Sequence, residues 1–476
     1  MAAPLLLASC GAGLGASDDA EQAGPARHGG HPGHLLTRCS SITAGGVPTR
    51  RTFLCLTGVR PLMPANESPA VLLLDPVRTG AHYKTEARRR GFSTISVYTV
   101  AQEVIAENWL DHADGDDFSV YSADADEILT RIDSLGVRLI GVVPAMDSAV
   151  HLADTLAERL SLPGNGLAKA AARRNKADMR RVAAEAGLRI PRYVLVDSTA
   201  KIAAAAAEIG FPAIAKHTTG AGSYGTYLLS NSEDAARTST MHAKNQFGWQ
   251  VDEWLVEQYI RGRELAVNCF SHNGEHRIVD IWEYRQPDDS DYDFPYWESA
   301  KLPEDDPDYR AAADYVRAAL TAFDVRLGPS HTEVKVGPDG VHLMEVGARL
   351  PGGPMTDQWL AHTDLNPFEQ ALDCYLGVRP ACLEAPVHFR QSCGASAIRN
   401  DGPAGTLREI RGLDEVRKMP GVDKVLSIYE PGDHVPVTDN TLNIPIGVWV
   451  SAPDYAGVVD LLARVRDTVE LVIEEA

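Results

Sequence analysis

The rhythm of apolar residues between Ala70 and Asn165 leaves this chain few folds to choose from. Ala70-Val71-Leu72-Leu73-Leu74 is a continuous apolar run, as in a strand buried on both faces. Thr79-Gly80 follows, then a helical pattern to Arg90, and Gly91-Phe92 leads into a second strand, Thr94-Ile95-Ser96-Val97-Tyr98. Ala125 to Leu135 reads as a helix, Leu139-Ile140-Gly141-Val142-Val143 as a strand, and Asp147 to Leu160 as a helix ending before Pro163-Gly164-Asn165. Strands alternating with helices predict a parallel, doubly wound sheet. The unit lacks a GxGxxG fingerprint, so dinucleotide binding finds no support.

Beyond it the pattern changes. Leu167 to Ala186 reads as helical, and its basic residues Lys169, Arg173, Arg174, Lys176, Arg180 and Arg181 read first as a solvated face. A strand from Ile190 to Val196, an Ala-rich helix (Thr199 to Ile209) and the strand Ala213-Ile214-Ala215-Lys216 come next. A loop carrying Gly220, Gly222, Ser223 and Gly225 then leads into Tyr227-Leu228-Leu229. Strand, lysine, glycine loop and strand suit a lid whose backbone N–H groups converge on phosphate oxygens. It is not a P-loop, because no GK[ST] opens a helix. Trp254 to Ile260, Leu265 to Phe270 and Ile278 to Trp282 predict antiparallel strands. The acidic stretch Asp288 to Asp293 is expected to be a mobile loop, and Tyr309 to Phe323 a helix.

Two carboxylates then carry most of the chemistry. Glu333 lies in Ser330-His331-Thr332-Glu333-Val334-Lys335-Val336 and Glu345 in His342-Leu343-Met344-Glu345-Val346-Gly347-Ala348-Arg349, joined by Gly337-Pro338-Asp339-Gly340. Asp-Gly between alternating runs is a hairpin signal. In a hairpin both acids can lie on one face of neighbouring strands, within reach of a shared cation. Hard oxygen ligands beside an arginine suit Mg²⁺ with polyphosphate rather than zinc or iron.

Composition sets the outer bounds. The 476 residues allow two to four units with sizeable cores, and 44% apolar with 23% charged residues is ordinary for a globular protein. The formal net charge of −20 argues against nucleic acid, which needs basic patches. No run reaches the roughly 20 apolar residues of a membrane span. Seven cysteines without a CxxC pair argue against a disulfide framework or zinc site and fit a reducing cytoplasm. Residues 1–65 are rich in Gly, Ala, Ser, Pro, His and Arg, and are expected to be disordered or an over-called extension starting upstream of Met63. Leu7-Ala8-Ser9-Cys10 has the look of a lipoprotein box, but no basic residue precedes it and the apolar stretch is short.

Taken in order, these motifs resemble the ATP-grasp superfamily, and within it the L-amino acid ligases, ATP-dependent carboxylate–amine ligases. The resemblance spans about Ala70 to Ala476 and rests on Lys176, Lys216 with the glycine loop, Glu257-Gln258-Tyr259-Ile260 with Glu264, and the paired-Glu hairpin ending in Glu345-Val346-Gly347-Ala348-Arg349-Leu350-Pro351-Gly352-Gly353. It implies an α/β fold of four parts: the extension (1–65), a Rossmann-like pre-ATP-grasp domain (66–165), an ATP-grasp domain (166–385) with a mobile lid at about 190–254, and a C-terminal α+β ligase domain (386–476). It further implies ATP and two Mg²⁺ ions, with Mn²⁺ able to substitute, small-molecule carboxylate and amine substrates, and a homodimer. By resemblance Lys176, Lys216, Gly220, Gly222, Ser223 and Gly225 bind phosphates, and Glu257 and Ile260 meet adenine. Glu264 holds the ribose, Glu333 and Glu345 bind metal, and Arg349 steadies the acyl phosphate and oxyanion. Where the family often has Asn two residues after the second acid, this chain has Gly347, which leaves one metal ligand to water. His331 is a candidate base or substrate-orienting residue. Glu298 matches the position that holds a substrate ammonium. Lys301, where several relatives have His, favours an acidic or modified acyl donor, and Gly352-Gly353 leaves room for a bulky one. The alternatives within the resemblance are a biotin-independent carboxylase using bicarbonate and a non-catalytic ATP-binding protein.

Overall fold

A computed structural model describes residues 69–475 apart from 101, 103–104, 106–111, 238–240, 242–243, 245–249 and 287–296. The N-terminal extension, the Cys10 box and the acidic stretch from Asp288 to Asp293 lie outside the described residues, as does part of the lid.

The first unit follows the alternating pattern: β1 (Pro69–Leu74), α1 (His82–Arg89), β2 (Ser93–Tyr98), β3 (Phe118–Tyr121), α2 (Ala125–Asp133), β4 (Arg138–Pro144) and α3 (Val150–Arg159). The sheet is parallel in the order β3-β2-β1-β4. β1 is buried on both faces, with Val71 and Leu73 facing one core cluster and Leu72 and Leu74 the other. Each fully buried aliphatic side chain of this kind contributes about 1.5–3 kcal/mol.

The long helix expected from Leu167 is shorter. Asn175 caps α4 (Lys176–Glu185) by accepting from the N–H groups of Ala177 and Asp178, and the preceding residues form only a single turn at Ala171–Arg173. The next four-stranded sheet falls in the stretch expected to form the lid. Its members are β5 (Tyr193–Val196), β6 (Ala213–His217), β7 (Thr226–Leu229) and β8 (Trp254–Gln258), antiparallel in the order β5-β8-β6-β7, with α5 (Ile202–Ile209) packed on it.

The central sheet has eight strands. β9 (Arg263–His272), β10 (Glu275–Arg285), β11 (Glu298–Lys301), β12 (Leu327–Gly337) and β13 (Gly340–Gly347) form its first part, backed by α6 (Tyr309–Ala322). After α7 (Gly353–His362) and α8 (Pro367–Tyr375), the chain adds β14 (Ser392–Ile398), β16 (Val422–Ser427) and β18 (Ile446–Ala452) to the same sheet, giving the order β13-β12-β9-β10-β11-β14-β18-β16. β14 lies past the expected boundary at 386 yet pairs directly with β11, so the sheet runs across that boundary. β15 (Gly405–Arg411), β17 (His434–Val435) and β19 (Glu470–Glu475) form a small separate sheet, and α9 (Tyr455–Thr468) covers β14 and β18. α9 stops at Thr468, where the chain turns into β19.

No helix among the described residues is long and apolar enough to cross a membrane. The described cysteines, Cys269, Cys374, Cys382 and Cys393, are all free and buried.

Candidate active site

The site is built on one face of the central sheet. Glu333 of β12 stands directly opposite Glu345 of β13. Their alignment depends on a register shift. Glu333 pairs with Glu345, but Val334 pairs with Leu343, which leaves Met344 as an extra residue. Strict alternation would put Leu343 and Glu345 on one face. The bulge at Met344 breaks the phase, so Val341, Leu343 and Val346 all enter the core while Glu345 turns to the site.

Cations converge on this pair. Lys176, the first residue of α4, lies 2.7 Å from Glu345 Oε1 and donates to the Gly220 carbonyl at 2.8 Å. Its place is set by the Asn175 cap and by its own N–H, which donates to the Thr218 carbonyl at 2.8 Å. Burial pushes the Glu333 carboxyl up, but His331, Lys176 and Arg349 together hold it below the ordinary carboxylate range. Arg349 is clamped by Asp147, with Nε and Nη2 at 2.9 and 2.5 Å from Oδ2. Asp147 stands just beyond the carboxyl end of β4, where open parallel sheets place their ligands. Its other oxygen explains Gly347: a Cβ added there would meet Asp147 Oδ1 at 3.1 Å.

One turn further along α4, Arg180 reaches the lid sheet. It pairs with Glu257 of β8, and its Nη2 also donates to the Met344 carbonyl at 2.8 Å. Lys216 of β6 takes the other Glu257 oxygen at 2.5 Å. Burial would raise the Glu257 pKa, but the two cations hold it at about 2. Burial, set against the attraction of Glu257, lowers the Lys216 pKa. The basic run from Lys169 to Arg181 is therefore only in part a solvated face. Arg173, Lys176 and Arg180 are at most 5% exposed, whereas Arg181 forms an exposed pair with Asp178 and Glu185. The spacing of Lys176 and Arg180 by four residues was the signal for an inward stripe.

The glycine loop links β6 to β7 and needs its small residues. A Cβ on Gly220 would press on the Tyr224 carbonyl at 2.9 Å, and one on Gly225 on the His217 ring at 2.4 Å. Gly222 has φ +62° and Ser223 φ +63°. The Gly222 carbonyl accepts from the Thr441 N–H at 3.0 Å and hydroxyl at 3.3 Å. Ile260 follows β8 and is buried, and Glu264 faces Lys335 at 3.4 Å.

A polar relay that sequence reasoning missed runs behind His331. Asp280 Oδ2 accepts from the indoles of Trp282 (2.8 Å) and Trp359 (2.6 Å), and Oδ1 accepts from the Asn268 amide (2.7 Å). Asn268 Oδ1 lies 2.8 Å from His331 Nδ1. That places the ring proton on Nδ1 and turns Nε2 toward Tyr284 (3.2 Å) and Glu333 (3.5 Å). Asp280 and Asn268 stand opposite each other in the β9–β10 register, a pairing visible only once the strands are aligned.

Glu298 requires a correction. It is three residues from Lys301 on β11, so the two side chains point to opposite faces. Lys301 is in register with Trp282, and Trp282 with Ala266, which pairs with Glu333; Lys301 therefore shares the site face. Glu298 is 3% exposed on the other face, paired with Arg466 of α9 and 3.8 Å from Arg285. It does not stand in the site to hold a substrate ammonium. Trp282 and Tyr284 stand on the site face, and Trp297 stacks on Arg399. Gly352 and Gly353 open α7 with nothing within 4 Å of an added Cβ on either, and Gly353 has φ +40°.

Comparison with known proteins identifies two domains in the chain. Residues 209–357 fit the model of the ATP-grasp domain, and residues 402–474 that of the L-amino acid ligase C-terminal domain 2. Dapdiamide A synthase of Enterobacter agglomerans is 24% identical over 84% of this chain and 96% of its own. The L-arginine-specific L-amino acid ligase of Bacillus subtilis is 23% identical over 77% and 88%. The crystal structure of L-amino acid ligase from Bacillus licheniformis superposes with a TM-score of 0.69 at 20% identity, covering 86% of this chain and all of that one. The chain is an ATP-grasp enzyme of the carboxylate–amine ligase family, related to the L-amino acid ligases.

Proposed function

We propose that this ligase phosphorylates a carboxylate with ATP, giving an acyl phosphate, and joins the acyl group to an amine as a dipeptide or related amide, with release of ADP and phosphate. The observation that carries the reading is the rung formed by Glu333 and Glu345, flanked by Lys176 and the Asp147-clamped Arg349. The donor set fits hard divalent ions: paired carboxylates on one sheet face, open to one side, since the Glu345 side chain is 25% exposed. Glu333 and Glu345 would hold Mg²⁺, two ions in the full reading, which neutralise phosphate charge when bound.

The chain's own residues divide the remaining work. Lys176, Lys216 and the loop of Gly220, Gly222, Ser223 and Gly225 draw the phosphates in and offset their repulsion of the incoming carboxylate. Glu257, already neutralised, orients Lys216 from the adenine side, with Ile260 and Glu264 positioned for ring and ribose. Arg349 stabilises the oxyanion as the amine attacks the carbonyl carbon and the phosphate leaves. His331, held through Nδ1 by Asn268, presents Nε2 to take the proton that the acceptor ammonium sheds before its nitrogen attacks, or to orient that amine. The lid sheet excludes water from an intermediate that water would hydrolyse.

Hydroxylamine trapping tests the reading. Full-length protein with ATP, Mg²⁺ and pooled carboxylates should yield acyl hydroxamates alongside ADP. Glu345→Gln should lower that yield by about 10²-fold or more while the protein stays folded. Bicarbonate-dependent ADP without hydroxamate would point instead to a carboxylase.

A further inference from the structure

The glycine loop is held from two sides. The Gly220 carbonyl accepts from Lys176 Nζ at 2.8 Å, and Lys176 also pairs with Glu345. Two residues on, the Gly222 carbonyl accepts from the Thr441 N–H at 3.0 Å and from its hydroxyl at 3.3 Å. The loop therefore bridges the paired acids and a second loop, Val437 to Asn443, from the C-terminal part of the chain. That second loop is built to keep its shape. Asn443 donates to the Val437 carbonyl and to Asp439 Oδ1, both at 2.9 Å, and accepts from the Asn440 N–H at 3.3 Å. Asn440 in turn accepts from the Leu442 N–H at 2.8 Å. The base of the loop is tied to the residues that follow β14: the Asn400 N–H donates to the Thr438 hydroxyl at 2.9 Å, and the Asn400 carbonyl accepts from the Thr438 N–H at 2.8 Å.

The backbone of the glycine loop gives this contact a consequence. Ala221 to Tyr224 form a turn, closed by the Tyr224 N–H donating to the Ala221 carbonyl at 3.3 Å. Both central residues have positive φ, +62° at Gly222 and +63° at Ser223, the signs of a type I′ turn. Glycine adopts that region freely, whereas the Cβ of Ser223 disfavours it. Rotating the central peptide would give a type II′ turn with Ser223 at negative φ, and would relieve that conflict. It would also reverse the peptide's two polar groups. In the trans Gly222–Ser223 peptide the carbonyl and the following N–H point in opposite directions. The two bonds from Thr441 fix the Gly222 carbonyl toward the C-terminal loop and so send the Ser223 N–H the other way. No acceptor is seen for the N–H groups of Gly220, Ala221, Gly222 or Ser223 among the described residues, which leaves them available to an anion.

We infer that Thr441 is a positioning residue for the nucleotide: it holds the Gly222–Ser223 peptide in the orientation that turns the Ser223 N–H toward the phosphates, so that the C-terminal part of the chain sets the geometry of the ATP site. This rests on the reading above that the glycine loop receives the phosphates.

The test compares Mg²⁺-ATP with AMP, which shares the adenine and ribose but lacks the outer phosphates, by calorimetric titration of the full-length protein. Thr441→Pro deletes the N–H and the hydroxyl, Thr441→Ala the hydroxyl alone, and Thr441→Ser neither. Thr441→Pro should weaken ATP binding about 10-fold and Thr441→Ala about 3-fold, with AMP changed by less than about 2-fold in each. Thr441→Ser should bind both like wild type. Asn443→Ala loosens the second loop while leaving Thr441 in place, and should weaken ATP selectively as well, which guards against a local distortion by proline. Ser223→Gly removes the side chain that opposes the turn, so Thr441→Pro added to it should weaken ATP by less than about 3-fold. Melting temperatures verify that each variant is folded. Equal losses for ATP and AMP in Thr441→Pro would make the contact general support for the fold and overturn the assignment. So would unchanged ATP binding, or a loss as large in the Ser223→Gly background as in wild type. In these cases the phosphate reading of the glycine loop still stands. Wild type that binds ATP no more tightly than AMP would take the phosphates away from the glycine loop and overturn that reading together with the role of Thr441.

Discussion

At the scale of single residues, Glu257 shows how a buried charge ties a lid to a helix. It neutralises Arg180 and Lys216, both almost fully buried. Glu257→Gln leaves two cations without their counter-ion, at a cost of about 3–5 kcal/mol, readable as a lower denaturant midpoint. The pH dependence has a definite sign. The folded-state pKa of about 2 lies below the ordinary 4.5, so the contribution is complete above about pH 4.5 and is lost as pH falls toward 2. Wild type should therefore lose more stability across that window than Glu257→Gln. Glu257 stood out in the sequence, but its partners did not, because an acid on a strand carries no mark of which helix will supply its cations. Asp147 was equally silent: it was read only as the start of a helix, and its bond to Arg349 spans some two hundred positions of chain.

At the scale of elements, two phase relations decided what the sequence could disclose. The alternating segments, the Asp-Gly hairpin and the glycine loop were legible because each has a local period or turn chemistry. The Met344 bulge was not, since a phase break within eight residues looks like ordinary alternation with one imperfect position. Glu298 and Lys301 were read as neighbours by motif, yet β11 sets them on opposite faces. The shorter α4 was marked by its cap, Asn175, which stands just before Lys176. Asn175→Ala should cost about 1 kcal/mol and loosen the first turn that presents Lys176 to Glu345. Calorimetric melting should register the loss of stability, and the KM for ATP should rise by several-fold with a smaller change in kcat.

At the scale of the whole molecule, the site draws on distant parts of the chain: Asp147 from the parallel sheet, Lys216 from the lid, Glu333 and Glu345 from the central sheet. The C-terminal residues are woven into the same fabric, through β14, β16 and β18 in the central sheet and Thr441 on the glycine loop. Arg466 of α9 is the clearest case, since it partners Glu298. Arg466→Ala should destabilise the protein by about 3 kcal/mol in equilibrium denaturation. The hydroxamate yield at saturating substrates should remain unchanged, because Glu298 and Arg466 lie on the face of the sheet away from Glu333.

The rung shared by Glu333 and Glu345 also fixes a gauge. Two acids that face each other across one ladder position take their separation from the spacing of paired strands, about 4.5–5.5 Å at Cβ, rather than from any loop. Turns can lengthen and lids can be rebuilt around such a pair without retuning it. A larger cation would have to be accommodated by side-chain rotation alone, so the ruler for ionic radius lies in the backbone, where point mutation has little grip.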